Sequence, residues 1–175
     1  MPTEYSFETV FEAPGLTAET IGAAYFDPDH LAAQDVVGQL GERTVTESRE
    51  DDAARFCSWS VRSLRPLPAL VKPFVEGGRL KYVETMTWRK AASEIDMTIV
   101  PQLGGGRVQI SALYTFTQVG EGKVRRRYKG TIEVKVSLLS GKIERAILGE
   151  MEKGMQSMSE CTQKWLAAAA RSPSS

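Results

Sequence analysis

Hydrophobic and polar positions along this chain keep two rhythms, one near two residues and one near 3.6, and the change between them divides the sequence into elements. From Tyr5 to Phe11 they alternate, so that Tyr5, Phe7 and Phe11 fall on one face of a predicted strand. The next stretch, APGLTAETIGAAYFDPDHLAAQDVVG, predicts two short helices. Thr17 can cap the first. Asp27 before Pro28 is the better start signal for the second, because proline suits the first helical position and aspartate the cap. Gly38 and Gly41 are expected to end them.

From Leu40 to Val136 turn signals recur about every dozen residues, and the intervals between them have strand periodicity. LGERTVTESRED and AARFCSWSVRSL pair as a hairpin, and four further strands follow, with LGGG and GEGK as turns. The alternation assigns an inward face: Leu80, Tyr82, Met86 and Trp88; Ile95, Met97 and Ile99; Val108, Ile110, Tyr114 and Phe116; Val124, Tyr128, Ile132 and Val134. Lys123, Arg125, Arg127, Lys129, Glu133 and Lys135 occupy the other face of the last strand, which is expected in water.

The rhythm then turns helical. Ile143, Ile147, Met151, Met155, Met158, Cys161 or Thr162, and Trp165 recur at three or four residues. They make one apolar stripe over about 26 residues, or roughly 39 Å, more than twice the usual helix length. A sheet apolar on one face needs a cover, and a helix this long laid across it supplies one. The stripe is rich in flexible methionines, which pack adaptably. It is read either as a plain core or as one wall of a cavity for an apolar molecule.

The order of these elements resembles the START-like, or SRPBCC, superfamily, the helix-grip fold that includes the birch-pollen allergens. The signals are Ala13-Pro14 after the first strand, Asp27-Pro28 between the helices, and an Ile/Val-rich last strand, EVKV, leading through SLLS into GKIE. Ser137 stands where a proline would be expected. The likeness covers Tyr5 to about Ala169 and points to an uncharacterised bacterial branch. It implies an α+β fold: a curved antiparallel sheet of about seven strands, two short helices after the first strand, and a long C-terminal helix across the sheet. It also implies a deep apolar cavity for a lipid or lipid-like molecule. The expected wall is Tyr82, Glu84, Met86, Trp88, Met97, Tyr114, Phe116, Arg126, Tyr128, Ile147, Met151, Met155 and Met158. One domain, residues 1–170, and a short disordered tail, 171–175, account for the chain.

Composition narrows the chemistry. Lys+Arg and Asp+Glu are equal at 22 each and the sequence pI is near 6.6, which argues against a nucleic-acid partner. MPTEYSFETVF has neither part of a signal peptide and no run is apolar enough to span a membrane, so a cytoplasmic protein is expected. Cys57 and Cys161 lie far apart with no CxxC, and the chain has a single histidine. They are expected to be buried free thiols, with no metal site and no cofactor. His30, beside Asp29, is expected on the solvated surface. LGGGR lies between strands and opens no helix, so it reads as a hairpin turn and not a phosphate cradle.

Two features carry candidate function. LRPLPALVKPFVEGG places Leu67, Leu70, Val71, Phe74 and Val75 at helical spacing, although Pro73 interrupts it. It is either a cluster packed on the sheet or a gate over the cavity, formed by Leu70, Phe74 and Val75, in transient contact with a membrane. Glu84 and Arg126 fall on the inward face, where an unpaired charge is costly. They are either structural groups with partners or the polar anchor of a ligand headgroup. Binding of a hydrophobic small molecule without catalysis is the expected function. The alternatives are a cyclase- or hydrolase-like enzyme using Glu84 as acid or base, and an interaction module with a filled core.

Overall fold

The computed structural model describes residues 1–103 and 105–172. Its elements follow the predicted order: β1 (Thr3–Glu12), α1 (Ala18–Ala24), α2 (Pro28–Gly38), β2 (Leu40–Glu50), β3 (Ala54–Ser63), β4 (Lys81–Arg89), β5 (Glu94–Pro101), β6 (Val108–Gly120), β7 (Lys123–Val134) and α3 (Ser140–Arg171). The seven strands form one antiparallel sheet in the order β1-β7-β6-β5-β4-β3-β2. The α+β helix-grip architecture read from the sequence is therefore the one observed. The expected tail falls partly outside the described residues, at 173–175, and so does Gly104 of the LGGG turn.

Local chemistry sets the helix starts. Thr17 Oγ1 accepts the Thr20 N–H at 3.1 Å, and Asp27 Oδ1 accepts those of Asp29 at 2.8 Å and His30 at 3.3 Å, with Pro28 in the first turn. The end of α2 differs from expectation. Gln39, not a glycine, takes the left-handed conformation there (φ 53°, ψ 49°), and Gly41 already belongs to β2. The strand faces are as expected, since Tyr82, Met86, Trp88, Ile95, Met97, Val108, Ile110, Tyr114, Phe116, Val124, Tyr128, Ile132 and Val134 are all buried.

The helix α3 is 32 residues long and packs against β1, β7 and α2. Its buried positions are Ile143 and Glu144 near the start and Ser159, Thr162 and Leu166 near the end. Between them Ile147, Met151, Met155 and Met158 are only half-buried. The helix seals at its two ends and bridges in the middle. Glu144, the acid of GKIE, fixes the first seal: its carboxylate accepts the Thr3 hydroxyl at 2.7 Å and the Val134 N–H at 3.0 Å, joining α3 to β1 and β7. Gln163 fixes the second, exchanging two hydrogen bonds with the backbone of Glu12 at 3.0 and 2.6 Å.

The outer face of β7 is less bare than its composition suggests. Glu8 of β1 pairs with Arg125 at 3.3 Å and Arg127 at 3.1 Å, and Glu12 reaches Lys123 at 3.7 Å. Two carboxylates of the neighbour strand thus serve three of the ribbon's cations, and Lys135 pairs with Glu133 on its own strand at 3.3 Å. Cys57 is buried as expected, while Cys161 is half-buried; both are free.

Candidate functional site

Beneath the bridging part of α3 lies a hollow of about 400 Å³. Interiors are packed at crystal density with few voids larger than a water molecule, so a space of this size is not ordinary packing slack. Of the residues assigned to a cavity wall from the sequence, Tyr82, Glu84, Met86, Met97, Tyr114, Arg126, Tyr128, Ile147, Met151, Met155 and Met158 surround it. Trp88 and Phe116 do not. Trp88 packs under Gly22 of α1 and stacks with Phe26 at 6.3 Å, and Phe116 lies tilted against Tyr25 at 5.7 Å and stacks with Tyr114 at 6.3 Å. The inner face of the sheet is covered by α1 at that end and stands open at the other.

The segment between β3 and β4 forms part of the rim. It makes two short 3-10 turns, 72–74 and 76–78, in place of one amphipathic helix, because Pro73 cannot continue an α-helical hydrogen-bond ladder. Leu67 and Val71 line the hollow. Phe74 and Val75 instead pack half-buried against the edge of the core, and Leu70 is exposed.

Two charged groups face inward, as the alternation requires: Glu84 is 6% exposed and Arg126 is 4% exposed. Their environments differ. Glu84 accepts a hydrogen bond from Arg43 Nη1 at 3.3 Å, and the same guanidinium makes a two-pronged pair with Asp35 of α2, both contacts at 2.8 Å. Burial pushes the Glu84 carboxyl up, and the nearby Arg43 offsets part of that rise. Burial also opposes the Arg43 charge, but the Asp35 hydrogen bond and the Glu84 charge outweigh it, so this guanidinium stays protonated. The phenols of Tyr82, Tyr114 and Tyr128 are held above the ordinary tyrosine range, chiefly by burial, and are neutral.

Arg126 has no carboxylate within ion-pair distance among the described residues. Its Nη1 donates to Tyr25 Oη at 2.7 Å, and its Nη2 donates to Ser159 Oγ at 2.8 Å and approaches Met155 Sδ at 3.7 Å. The guanidinium carbon lies 5.1 Å from the Phe11 ring centre and 6.0 Å from that of Tyr114. Its buried Nε has no acceptor among the described residues.

Arg43 escaped the sequence reading because a bulge between Gly41 and Thr44 breaks the alternation of β2, and Glu42 there takes φ 53°. Period-two counting fails at a bulge. His30 corrects the expectation of a surface role. It has no exposed surface, its Nδ1 lies 2.9 Å from the Ala24 carbonyl, and its Nε2 lies 3.0 Å from Thr162 Oγ1. A carbonyl only accepts, so Nδ1 carries the proton and, in the neutral ring, Nε2 accepts from Thr162. Gln34 completes the group, donating to Thr162 Oγ1 at 2.7 Å and the Met158 carbonyl at 2.9 Å. Burial lowers the His30 pKa, partly opposed by the Ala24 carbonyl. Among the described residues no cluster of three His, Cys, Asp or Glu side chains could hold a metal ion, and no helix is long and apolar enough to cross a membrane.

Comparison with solved structures agrees with the architecture. A protein of Thermus thermophilus superposes with a TM-score of 0.64 at 16% identity, over 97% of this chain and 100% of the other. The Zhui aromatase/cyclase of Streptomyces sp. R1128 gives 0.58 at 11% identity, over 97% and 94%. A START superfamily protein of Mycobacterium smegmatis gives 0.58 at 12% identity, over 94% and 99%. At these identities the likeness establishes the fold. No curated protein matches the sequence. A family model does, over residues 10–166, and with the seven-stranded sheet gripped by α3 it places this chain in the family described as protein of unknown function DUF2505, on the START-like helix-grip fold.

Proposed function

We propose that the protein binds an apolar small molecule or lipid in the hollow between the sheet and α3. The observation that carries this reading is the middle of α3, where Met151, Met155 and Met158 remain half-buried over unfilled space while both ends of the helix are sealed. Pockets of about 300–1,000 Å³ with mostly apolar walls and a few polar groups are the usual shape of small-molecule sites. Leu67 and Val71 at the rim, with exposed Leu64 and Leu70 beside them, favour entry of the ligand along the segment between β3 and β4, where a membrane surface could hand it over. Two free thiols suit a reducing compartment such as the cytoplasm.

Native mass spectrometry of the purified protein, with uptake of the neutral fluorophore N-phenyl-1-naphthylamine, tests this reading. A retained small-molecule mass or saturable one-to-one uptake supports it. Absence of both sinks it.

One observation favours a second reading, catalysis in the same space: Glu84 is a buried carboxyl with a raised pKa beside the Tyr82 phenol, an arrangement suited to general acid–base chemistry. A fold neighbour is an aromatase/cyclase. Loss of turnover of a bound substrate in Glu84→Gln, with binding retained, would decide for it.

A further inference from the structure

Two buried arginines border the hollow, and they are provided for unequally. Arg43 has two carboxylates, Asp35 and Glu84. Arg126 has none among the described residues; its oxygen partners are the side-chain hydroxyls of Tyr25 and Ser159, and its Nε has no acceptor among them. An arginine cannot relieve its burial by losing its proton, so the charge at Arg126 persists. A buried charge without a counter-charge is expensive, and proteins carry one where something else supplies the opposite sign.

We propose, resting on the reading of the hollow as a ligand site, that its ligand is an amphiphile bearing a carboxylate and that Arg126 receives that group. Glu84 does not take this role, because β5 and β6 separate its strand from that of Arg126 and its carboxylate already meets Arg43. Tyr114 and Tyr128 cannot supply the charge either, since burial keeps their phenols protonated. A planar guanidinium matches a carboxylate with two parallel N–H···O bonds, and only two of its five N–H donors go to oxygen here. The single positive charge also suits the single charge of a carboxylate better than the roughly −2 of a phosphate monoester. The apolar tail then has the methionine-lined part of the hollow beneath α3.

Displacement of N-phenyl-1-naphthylamine at pH 8 by dodecanoate, 1-dodecanol and dodecyl phosphate provides the test, using the wild-type protein, Arg126→Met and Arg126→Lys. Charge-assisted hydrogen bonds predict that the wild type holds dodecanoate at least about tenfold more tightly than dodecanol. It is also expected to prefer dodecanoate to the phosphate. Arg126→Met is expected to bring the ratio of acid to alcohol affinity down to about one, and Arg126→Lys to keep part of the preference. Wild-type protein that binds dodecanol as tightly as dodecanoate overturns the carboxylate assignment and leaves the apolar site intact. A preference for dodecyl phosphate overturns the assignment too. Failure to bind the fluorophore or any of the three chains removes the ligand site itself. Should Arg126→Met not fold, the wild-type ratio of acid to alcohol decides alone.

Discussion

His30 and Thr162 stand 3.0 Å apart, Nε2 to Oγ1, and neither side chain has exposed surface, so α2 and α3 are joined by a hydrogen bond sealed from water. Thr162→Val keeps the shape and removes the hydroxyl that serves both His30 Nε2 and the Gln34 amide, leaving His30 Nε2 only the longer Gln34 contact at 3.4 Å. A loss of about 1–3 kcal/mol is expected in urea unfolding. The same site predicts a pH dependence. The folded-state pKa of His30 lies below its ordinary 6.5, so the unfolded chain binds the proton first. The contribution is full above about 6.5 and is lost as pH falls from there through the folded value. His30→Asn is expected to flatten the slope of the unfolding free energy in that window; an unchanged slope would show that the ring does not stay neutral.

Arg43→Met should be among the most damaging single changes in the protein. It strands Asp35 and Glu84 in a poorly solvated site, and removing one partner of a buried pair costs about 3–5 kcal/mol. The sign with pH is opposite to that of His30. The folded pKa of Glu84 is raised, so its penalty falls as pH drops through that value toward the unfolded carboxyl pKa. Unfolding measured at pH 7.5 and pH 5 is expected to show a smaller gap between variant and wild type at the lower pH.

Gly22→Ala tests how α1 closes one end of the core. A Cβ at this position would lie 2.7 Å from Trp88 Cε2 and 2.8 Å from its Nε1. Alanine normally stabilises a helix interior by about 1 kcal/mol over glycine. Here the buried indole has to move, and a net loss of about 1–3 kcal/mol is expected from thermal unfolding. A gain in melting temperature would show that the ring is free to shift.

Met151→Trp adds bulk to the wall of the hollow. If the space is empty, the larger side chain occupies it with little strain, so fluorophore uptake is expected to fall at least about tenfold while stability changes by under about 1.5 kcal/mol. The opposite pattern, unchanged uptake with a badly destabilised fold, would mean that Met151 packs against a filled core.

Leu70→Asp examines the rim. The side chain is 36% exposed on the segment that carries Leu67 and Val71. A carboxylate here opposes insertion into an apolar interface and is repelled by anionic lipid. Transfer of dodecanoate from protein to phosphatidylserine-containing vesicles is expected to slow several-fold with affinity unchanged. Equal rates would return the segment to a purely packing role.

How much of this was legible beforehand depends on the kind of order concerned. Alternation in β4 to β7 assigned the inward residues, including Glu84 and Arg126, because a strand has only two faces. It could not say where along the sheet each residue falls, which is why Trp88 and Phe116 share a face with Tyr82 and Tyr128 and yet lie under α1. Arg43 was hidden by a bulge. His30 was hidden by something broader: its partners, Ala24 and Thr162, sit 6 and 132 positions away, and a reading of Asp29-His30 as neighbours cannot reach the second. The GKIE signal, by contrast, was legible as a motif, and the cause of it is Glu144 stitching three elements together.

Thr3 pairs with Ile132 and Glu12 with Lys123, so the strand made first finds its partner last. At about 5–20 residues per second, a ribosome releases β1 roughly 6–24 seconds before β7 emerges. Through that interval Tyr5, Phe7 and Phe11 have neither their partner strand nor α3 to cover them, and the nascent chain carries a sticky ribbon. A ribosome stalled before β7 would hold six strands' worth of sequence whose first member has nothing to close against, an obvious handle for chaperones and proteases alike.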